Sequence, residues 1–289
     1  MVKTYSQLYL DTRKTLMQAN DAEYAGFAAR QLLCHISGKS WEQLAADGGM
    51  YAPQHICDQL PFLAVRALKG EPLAYILGEW EFYGLKLFVD RNVLIPRDDT
   101  CAVTELAIAA ASRIEGKPRI LDLCTGSGCI GLAVADRVKN ARVTLADISR
   151  EALAVAKKNI TRNQLSARVS AVTANALEAP SAFLGSFDLI VSNPPYITAQ
   201  EMETLDDSVS KYEPHLALFG GDDGLQFYRS IAENFRNALR PNGYLCFEFG
   251  MGQGDAVCRI LEMNQYTILE RSRDYNDRER AVIAQRKED

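Results

Sequence analysis

The chain has 289 residues, of which 47% are hydrophobic and 24% are charged. This composition is that of a globular protein, and the length is sufficient for one large core and a smaller one, so we expect two domains. The formal net charge of -5 and the pI near 5.4 argue against sequence-independent binding to DNA or RNA, because that binding needs a basic surface that displaces counterions.

The cysteines and histidines give no sign of a metal site. The seven cysteines include no CxxC pair, and His35, His55 and His215 lack the spacing of metal ligands. Residues 1–10 do not form a long apolar signal segment, and no apolar run approaches the roughly 18 residues of a transmembrane helix. We therefore expect reduced thiols, no metal, no membrane partner and a location in the cytoplasm.

The first part of the chain has helical periodicity. Apolar residues recur every three or four positions from Tyr5 to about Leu77, Asp21 and Ser40 precede two such segments as caps, and Pro53 opens another. This pattern predicts a bundle of four or five helices as a first domain, residues 1–77. Its role is either structural or the binding of a macromolecular partner.

Two aromatic runs around Gly84 follow, and they predict a β-hairpin over residues 79–89 within a linker, residues 78–97. Asp98, Asp99 or Thr100 is then expected to cap a helix from about Cys101 to Ile114. Arg97 either pairs with a neighbouring carboxylate or faces the functional site.

From Arg119 onward, strand and helix patterns alternate, which predicts a parallel sheet with right-handed crossovers. The first strand, 120–123, leads into a glycine-rich turn, 124–131, where the backbone can approach a ligand closely. Such a glycine pattern is weak by itself, and binding of a nicotinamide dinucleotide is the rival interpretation. The second strand ends in Asp147, whose carboxylate is placed to accept hydrogen bonds from both hydroxyls of a ribose.

A third strand, 167–173, is followed by Asn175, which either bonds an adenine edge or has a turn role. The fourth strand, Phe187–Ser192, runs into Asn193-Pro194-Pro195-Tyr196. This corner suits a planar NH2 group, because the Asn oxygen and a proline carbonyl can accept its two hydrogens while the tyrosine ring stacks on its plane. The alternative for Asn-Pro-Pro is a rigid turn without chemistry.

The remaining segments complete an α/β domain over residues 98–289. A helix is expected over 225–239, a strand over 243–249, a helix over 253–263, and a closing pair of strands over 266–271 and 281–285. The result is a seven-stranded, mostly parallel, Rossmann-like sheet, in which the final hairpin inserts one antiparallel strand.

These motifs together resemble a class I S-adenosylmethionine-dependent methyltransferase that acts on planar NH2 nitrogens. Further stretches resemble the peptide chain release factor glutamine methyltransferases (the PrmC/HemK family) and extend the resemblance over nearly the whole chain. They are Glu71 to Gly78, Phe82 to Leu85 with Ile95-Pro96-Arg97, Tyr212 to Leu218 with Gly220 to Arg229, and Asp277 to Arg280.

The chain departs from that family at two places. Asp98-Asp99-Thr100-Cys101 stands where the family usually has Pro, Glu or Asp, Thr and Glu. Asn175 stands where relatives commonly have Asp, so it keeps an acceptor for adenine but loses the charge.

The resemblance implies that the chain transfers a methyl group from S-adenosylmethionine to the side-chain amide of a glutamine, in the Gly-Gly-Gln loop of class 1 release factors. It implies cofactor contacts by Thr125, Gly126, Gly128, Asp147, Asn175 and Asn193. It implies substrate contacts by Asn193, Pro194, Pro195 and Tyr196, of which Asn193, Pro194 and Tyr196 act in catalysis. The helical domain would bind the release factor, and the enzyme would act as a monomer without direct nucleic acid contact.

Three alternatives remain. A glutamine of a ribosomal protein is a closely related substrate. An adenine-amino DNA methyltransferase shares the Asn-Pro-Pro-Tyr corner but needs a basic binding face and base flipping. A non-catalytic module that only binds the release factor or the cofactor would not require the four-residue corner.

Overall fold

A computed structural model describes residues 2–288, and the chain divides into two compact units, Met1–Gly78 and Glu79–Asp289. Met1 and Asp289, the outer ends of the two predicted domains, lie outside the described residues. Within residues 2–288, no helix combines the length and the apolar character needed to cross a membrane.

The first unit is a helical bundle, as predicted. Its helices, within residues 2–78, are α1 Tyr5–Leu16, α2 Ala22–Ser37, α3 Trp41–Ala46, α4 Gln54–Leu68 and α5 Leu73–Leu77. Helix α2 begins after Asp21, whose carboxylate accepts hydrogen bonds from the backbone N–H groups of Glu23 and Tyr24 at 2.9 and 2.8 Å, and it ends at Gly38 in the left-handed conformation. A capping box between Ser40 and Gln43 starts α3.

The second unit contains a two-stranded hairpin and a seven-stranded sheet. The hairpin strands are β1 Glu79–Phe82 and β2 Leu85–Phe88. The sheet strands are β3 Arg119–Leu123, β4 Arg142–Asp147, β5 Val169–Thr173, β6 Phe187–Ser192, β7 Leu239–Glu248, β8 Tyr266–Arg273 and β9 Glu279–Arg286. Their order in the sheet is β5-β4-β3-β6-β7-β9-β8, so β9 is inserted antiparallel between β7 and β8, which confirms the expected fold class.

Helices cover the sheet through two apolar core clusters. The helices of this unit are α6 Cys101–Arg113, α7 Cys129–Arg137, α8 Arg150–Arg162, α9 Ala199–Met202, α10 Asp207–Ser210, α11 Gln226–Asn234 and α12 Gly254–Met263. Helices α6, α7 and α8 contribute to one cluster, and α11 and α12 to the other.

Two adjoining predicted boundaries were wrong. The helix expected to reach Leu239 ends at Asn234, and the strand expected from Gly243 begins at Leu239. The turn residues between them form an irregularity inside β7, since Phe187 of β6 pairs with Leu239 whereas Leu189 pairs with Tyr244. The Pro-Asn-Gly sequence therefore forms a bulge within β7 and does not separate a helix from a strand.

A buried asparagine fixes the hairpin to the sheet domain. Asn159, on α8, is fully buried; its Oδ1 accepts a hydrogen bond from the Phe88 N–H at 2.6 Å. Its Nδ2 donates to the carbonyls of Phe88 and Ser127 at 3.0 and 2.9 Å. One side chain therefore connects α8, the hairpin and the glycine-rich turn.

We expect Asn159→Ala to lower the free energy of unfolding by about 3 kcal/mol, because it leaves buried backbone groups without partners. Urea denaturation measures the change. Asn163→Ala is the matched control, since Asn163 directly follows α8, is only half-buried and donates to the Lys86 carbonyl at 3.2 Å. Equal losses in the two variants would contradict the anchoring role of Asn159.

Candidate active site

A cleft opens at the carboxyl ends of the parallel strands. Six of the predicted site residues line the cleft: Thr125, Gly126, Asp147, Asn175, Asn193 and Pro195. Gly128, Pro194 and Tyr196 lie close to these residues in the chain but do not line the cleft surface.

The turn after β3 is organised by a carboxylate that the sequence did not single out. Asp122 is fully buried, and its Oδ2 accepts hydrogen bonds from the Thr125 hydroxyl at 2.5 Å and from the Gly131 N–H at 2.9 Å. Within the part of the chain that the structure describes, its Oδ1 is buried without a hydrogen-bond partner. Burial raises the pKa of Asp122 to about 7. The first turn of α7 is thus held against β3 by an acceptor that still has bonding capacity.

Two glycines in this turn have clear structural reasons. Gly128 adopts a φ of 87°, a left-handed conformation that disfavours other residues, directly before α7. At Gly131 an added Cβ would lie 2.3 Å from the Leu145 Cδ2 and 2.9 Å from the Asp122 Oδ2. The motif therefore brings α7 into close contact with β3 and β4, as well as leaving the turn backbone open to the cleft.

Asp147, the last residue of β4, lies in the cleft wall. Its Oδ2 accepts a hydrogen bond from the Gly126 N–H at 2.9 Å, and its Oδ1 accepts one from the Ser149 N–H at 3.0 Å. Burial raises the pKa of Asp147, whereas these backbone N–H groups favour the ionised form. Each carboxylate oxygen retains a further lone pair, so Asp147 can accept additional hydrogen bonds from a ligand.

Asn175 has the turn role that the sequence left open. Its Oδ1 accepts a hydrogen bond from the Leu177 N–H at 3.0 Å, and its Nδ2 donates to Glu178 at 2.8 Å. Asn175 nevertheless lines the cleft next to Ala174 and Ala176. The predicted contact with adenine stays a prediction.

The Asn-Pro-Pro-Tyr corner follows β6 where the strand meets β3. The Ser192 hydroxyl donates to the Leu123 carbonyl at 2.6 Å and fixes the end of the strand. Asn193 is half-buried, and its Nδ2 lies 3.5 Å from the Thr100 Oγ1; the two prolines after it are buried. Asn193 is therefore held between the sheet and the segment that precedes α6.

Tyr196 continues the corner into the protein interior. Its carbonyl accepts a hydrogen bond from Gln253 Nε2 at 3.0 Å, its side chain packs against the core cluster under α11 and α12, and burial raises its pKa. A Cβ at Gly220 would lie 2.6 Å from the Tyr196 Cα, so a second loop presses directly on this backbone. Stacking of the Tyr196 ring on a substrate amide stays a prediction.

The Glu213 carboxylate, which was not predicted from the sequence, links two chain segments that line the cleft. The side chain of Glu213 is 1% exposed; its Oε1 forms an ion pair with Arg97, and its Oε2 accepts a hydrogen bond from the Ile95 N–H at 3.1 Å. Arg97 thus pairs with a carboxylate, one of the two predicted outcomes, although its partner is distant in sequence. Pro96 and Pro214, the neighbours of this pair, both line the cleft. The Ile-Pro-Arg and Tyr-Glu-Pro motifs, which contain the two residues, were the sequence features that could have revealed this ion pair.

A second unpredicted carboxylate, Glu248, lies at the end of β7 beside Asn193. Glu248 is 2% exposed, and burial raises its pKa to about 7, against hydrogen bonds with Thr100 and Asn193 that lower it. The Phe-Glu-Phe sequence of a buried strand carries the signal, because an ionisable residue at such a position is costly without a role. Nearby, Arg280 of β9 bonds Asp99 at 3.0 Å, which gives the unusual Asp98-Asp99 sequence a partner.

Two protein-family models match the chain. The "PrmC N-terminal domain" matches residues 7–78, and the "Methyltransferase small domain" matches residues 104–216. The second match contains the glycine-rich turn, Asp147 and the Asn-Pro-Pro-Tyr corner.

Individual proteins extend the likeness. A methyltransferase structure from Pyrococcus furiosus superimposes with a TM-score of 0.51 at 17% identity, covering 81% of this chain and 100% of that one, which supports the fold alone. A release factor glutamine methyltransferase of Fusobacterium nucleatum is 42% identical over 78% of this chain, which spans 62% of that relative's length. Another, of Chlorobaculum tepidum, is 41% identical over 88% of both chains. The chain therefore belongs to the release factor glutamine methyltransferase family.

Proposed function

We propose that this protein methylates the side-chain amide nitrogen of a glutamine in a class 1 peptide chain release factor, within its Gly-Gly-Gln loop. The enzyme is a protein-glutamine N-methyltransferase, and S-adenosylmethionine is its methyl donor. The observation that carries the proposal is the position of Asn193, half-buried at the edge of the cleft and followed by two buried prolines. Relatives named for release factor glutamine methylation support it.

The cleft residues fit the cofactor. The Asp147 carboxylate, which lines the cleft, supplies acceptors and negative charge for a cationic ligand that also carries ribose hydroxyls. We assign Asp147 to the ribose, Asn175 to adenine, and Thr125, Gly126 and Gly128 to the methionine portion, with Asn193 at the reacting end. When bound, the cofactor supplies an electrophilic methyl group on a sulfonium.

Asn193 and Pro194 would position the nucleophile. An amide nitrogen is a poor nucleophile, and if the Asn193 Oδ1 and the Pro194 carbonyl accept its two hydrogens, its face is held toward the methyl donor. Pro195 and Tyr196 would complete the surface against the amide plane. Alignment and exclusion of water are the main requirements of such an in-line displacement. We assign no general base, because the surplus proton on the methylated amide is acidic enough to leave to water.

The remaining assignments extend the proposal to the whole chain. We propose that residues 1–77 form a domain that binds the release factor, that 78–97 is a linker, and that 98–289 form the methyltransferase domain. A single loop glutamine offers too little surface for selective binding, whereas the bundle is a separate folded surface. We propose a cytoplasmic monomer without direct contact to nucleic acid.

Purified protein incubated with labelled S-adenosylmethionine should transfer label to release factor. Separate incubations contain a ribosomal protein fraction, duplex DNA, and a release factor whose loop glutamine is replaced by alanine, which should accept no label because the nucleophile is absent. Label in DNA, or none in any sample, would overturn the proposal. Preferential label in the ribosomal fraction would reassign the substrate.

A chain beginning at Glu79, where the second compact unit begins, should bind the cofactor but methylate release factor much more slowly than the full chain. The shortened chain would lose the surface that binds the release factor but would keep the residues proposed to carry out methyl transfer. Rates of label transfer at low factor concentration measure the difference. Equal rates would show that the helical unit does not bind the substrate.

Asn193→Ala should lower kcat by on the order of 100-fold, because it removes a polar contact made to the reacting amide. Steady-state label transfer to release factor measures kcat, and calorimetry with S-adenosylmethionine measures how much cofactor binding the variant keeps. A wild-type rate in the variant would leave the enzyme assignment standing and overturn this mechanism.

Asp147→Ala should weaken S-adenosylmethionine binding, since hydrogen bonds to a charged group contribute about 1.5–3 kcal/mol each. Asp147→Asn is the matched control and should bind with intermediate affinity, because one acceptor oxygen remains. Calorimetric titration gives both dissociation constants. Unchanged affinity in Asp147→Ala would remove this residue from the cofactor site.

A further inference from the structure

Glu248 is a rigidly held carboxylate without an evident structural reason. It ends β7, where it pairs with Ala281 of β9, and its carbonyl accepts a hydrogen bond from the Tyr228 hydroxyl at 3.0 Å. Its side chain is buried, and the Oε2 atom has no hydrogen-bond partner among residues 2–288. An apolar residue of similar size would avoid the cost of burying this charge.

The Glu248 carboxylate lies beside Asn193, the side chain that is proposed to hold the substrate amide. Ser192 pairs in register with Phe247, so the residues that follow them, Asn193 and Glu248, are neighbours on adjacent strands. The Asn193 Nδ2 lies 3.5 Å from the Thr100 Oγ1, and the proximity of Thr100 and Asn193 lowers the pKa of Glu248 against the effect of burial. The Thr100 hydroxyl is thus one acceptor at the nitrogen end of the Asn193 amide, and the Glu248 carboxylate is a second acceptor beside it. An ionised carboxylate only accepts hydrogen bonds, so it selects the NH2 end of an amide and repels the oxygen end.

This selection matters because an asparagine amide has two ends of nearly equal shape and opposite hydrogen-bonding character. Acceptance of a substrate hydrogen requires the Asn193 Oδ1 to face the cleft. The reversed amide would present an NH2 group to another NH2 group. A constraint on the nitrogen end is therefore needed at this position.

We propose that Glu248 is a positioning residue that orients Asn193, with its carboxylate holding the Nδ2 end so that the Oδ1 faces the substrate amide. The inference rests on the proposed function, in which that oxygen accepts an amide hydrogen. Glu248 acts through Asn193 and does not touch the substrate.

The charge state of Glu248 then controls the orientation. Once protonated, the carboxyl group can donate a hydrogen bond to the Asn193 Oδ1 and hold the amide in the reversed orientation. With its pKa raised to about 7 by burial, the ionised fraction increases through neutral pH, so kcat should rise between about pH 6 and 8. The charged and titratable groups that face Glu248 are Asp99, Arg280, Tyr196, Tyr228, Cys101 and Cys129.

Glu248→Gln tests the proposal. Glutamine keeps the size, but its amide donates to Oδ1 as readily as it accepts from Nδ2. We expect kcat for release factor methylation to fall by about 100-fold, the scale of a misplaced reacting group. Cofactor affinity, measured by calorimetry, should remain. The rise in kcat with pH should disappear, although Asp122, with its similar pKa, is still present.

A double-mutant cycle distinguishes positioning from a general effect. In the Asn193→Ala background, Glu248→Gln should cause no further loss, because the side chain that it orients is absent. The matched control is Asp188→Asn, which removes a carboxylate that is 15% exposed and paired with Arg240 at the opposite end of β6. That variant should keep the wild-type kcat and pH profile.

Thermal denaturation at pH 8 separates activity from folding. A carboxyl group with a raised pKa stabilises the fold at low pH, and that contribution is lost as the pH rises through about 7. At pH 8 Glu248→Gln should therefore be at least as stable as the wild type. Reduced activity with undiminished stability cannot come from unfolding.

Two further sets of results would contradict the positioning role of Glu248. A Glu248→Gln variant with wild-type kcat, or losses that add in the double mutant, would overturn the positioning role while the proposed function stands. A wild-type protein that leaves release factor unlabelled would overturn the proposed function, and the inference with it.

Discussion

The parallel pairing of β3 with both β4 and β6 determines where the site residues lie. Leu123 is in register with Ala146 on one side and with Ser192 on the other, so the three strands end at the same level. The residues that follow them are the glycine-rich turn, Asp147 and Asn193. Hydrogen bonds of the sheet backbone therefore bring together side chains that are far apart in the chain, at the edge where α/β sheets bind ligands.

The same edge concentrates buried charge. Asp122 and Glu248 are both almost without exposure, each has one carboxylate oxygen that finds no hydrogen-bond partner among the described residues, and burial raises both pKa values to about 7. A protein selected for stability alone would replace such groups by apolar side chains. Their presence beside the cleft and the corner indicates that this edge is arranged for ligand binding and orientation at the expense of stability.

Much of this arrangement could be predicted from the sequence, because periodicity, caps and prolines are local signals. The helical bundle, the order of strands and helices, and the cleft position of Asp147 and Asn193 follow from such signals. Glu213 and Glu248 were missed although the motifs around them are unusual, because their partners lie on other strands and loops and local signals do not show which residues those partners are. The start of β7 was misplaced for a related reason, since turn residues within a bulge look like a loop until the partner strand is known.

The insertion of β9 has a consequence for how the second unit holds together. Strand β8 precedes β9 in the chain, yet β9 separates it from β7 in the sheet. Until β9 is paired, β7 has an open edge and β8 has no place in the sheet, while Asp99 lacks Arg280. Local opening of this hairpin would therefore disturb the environment of Glu248 before the cofactor cleft is lost.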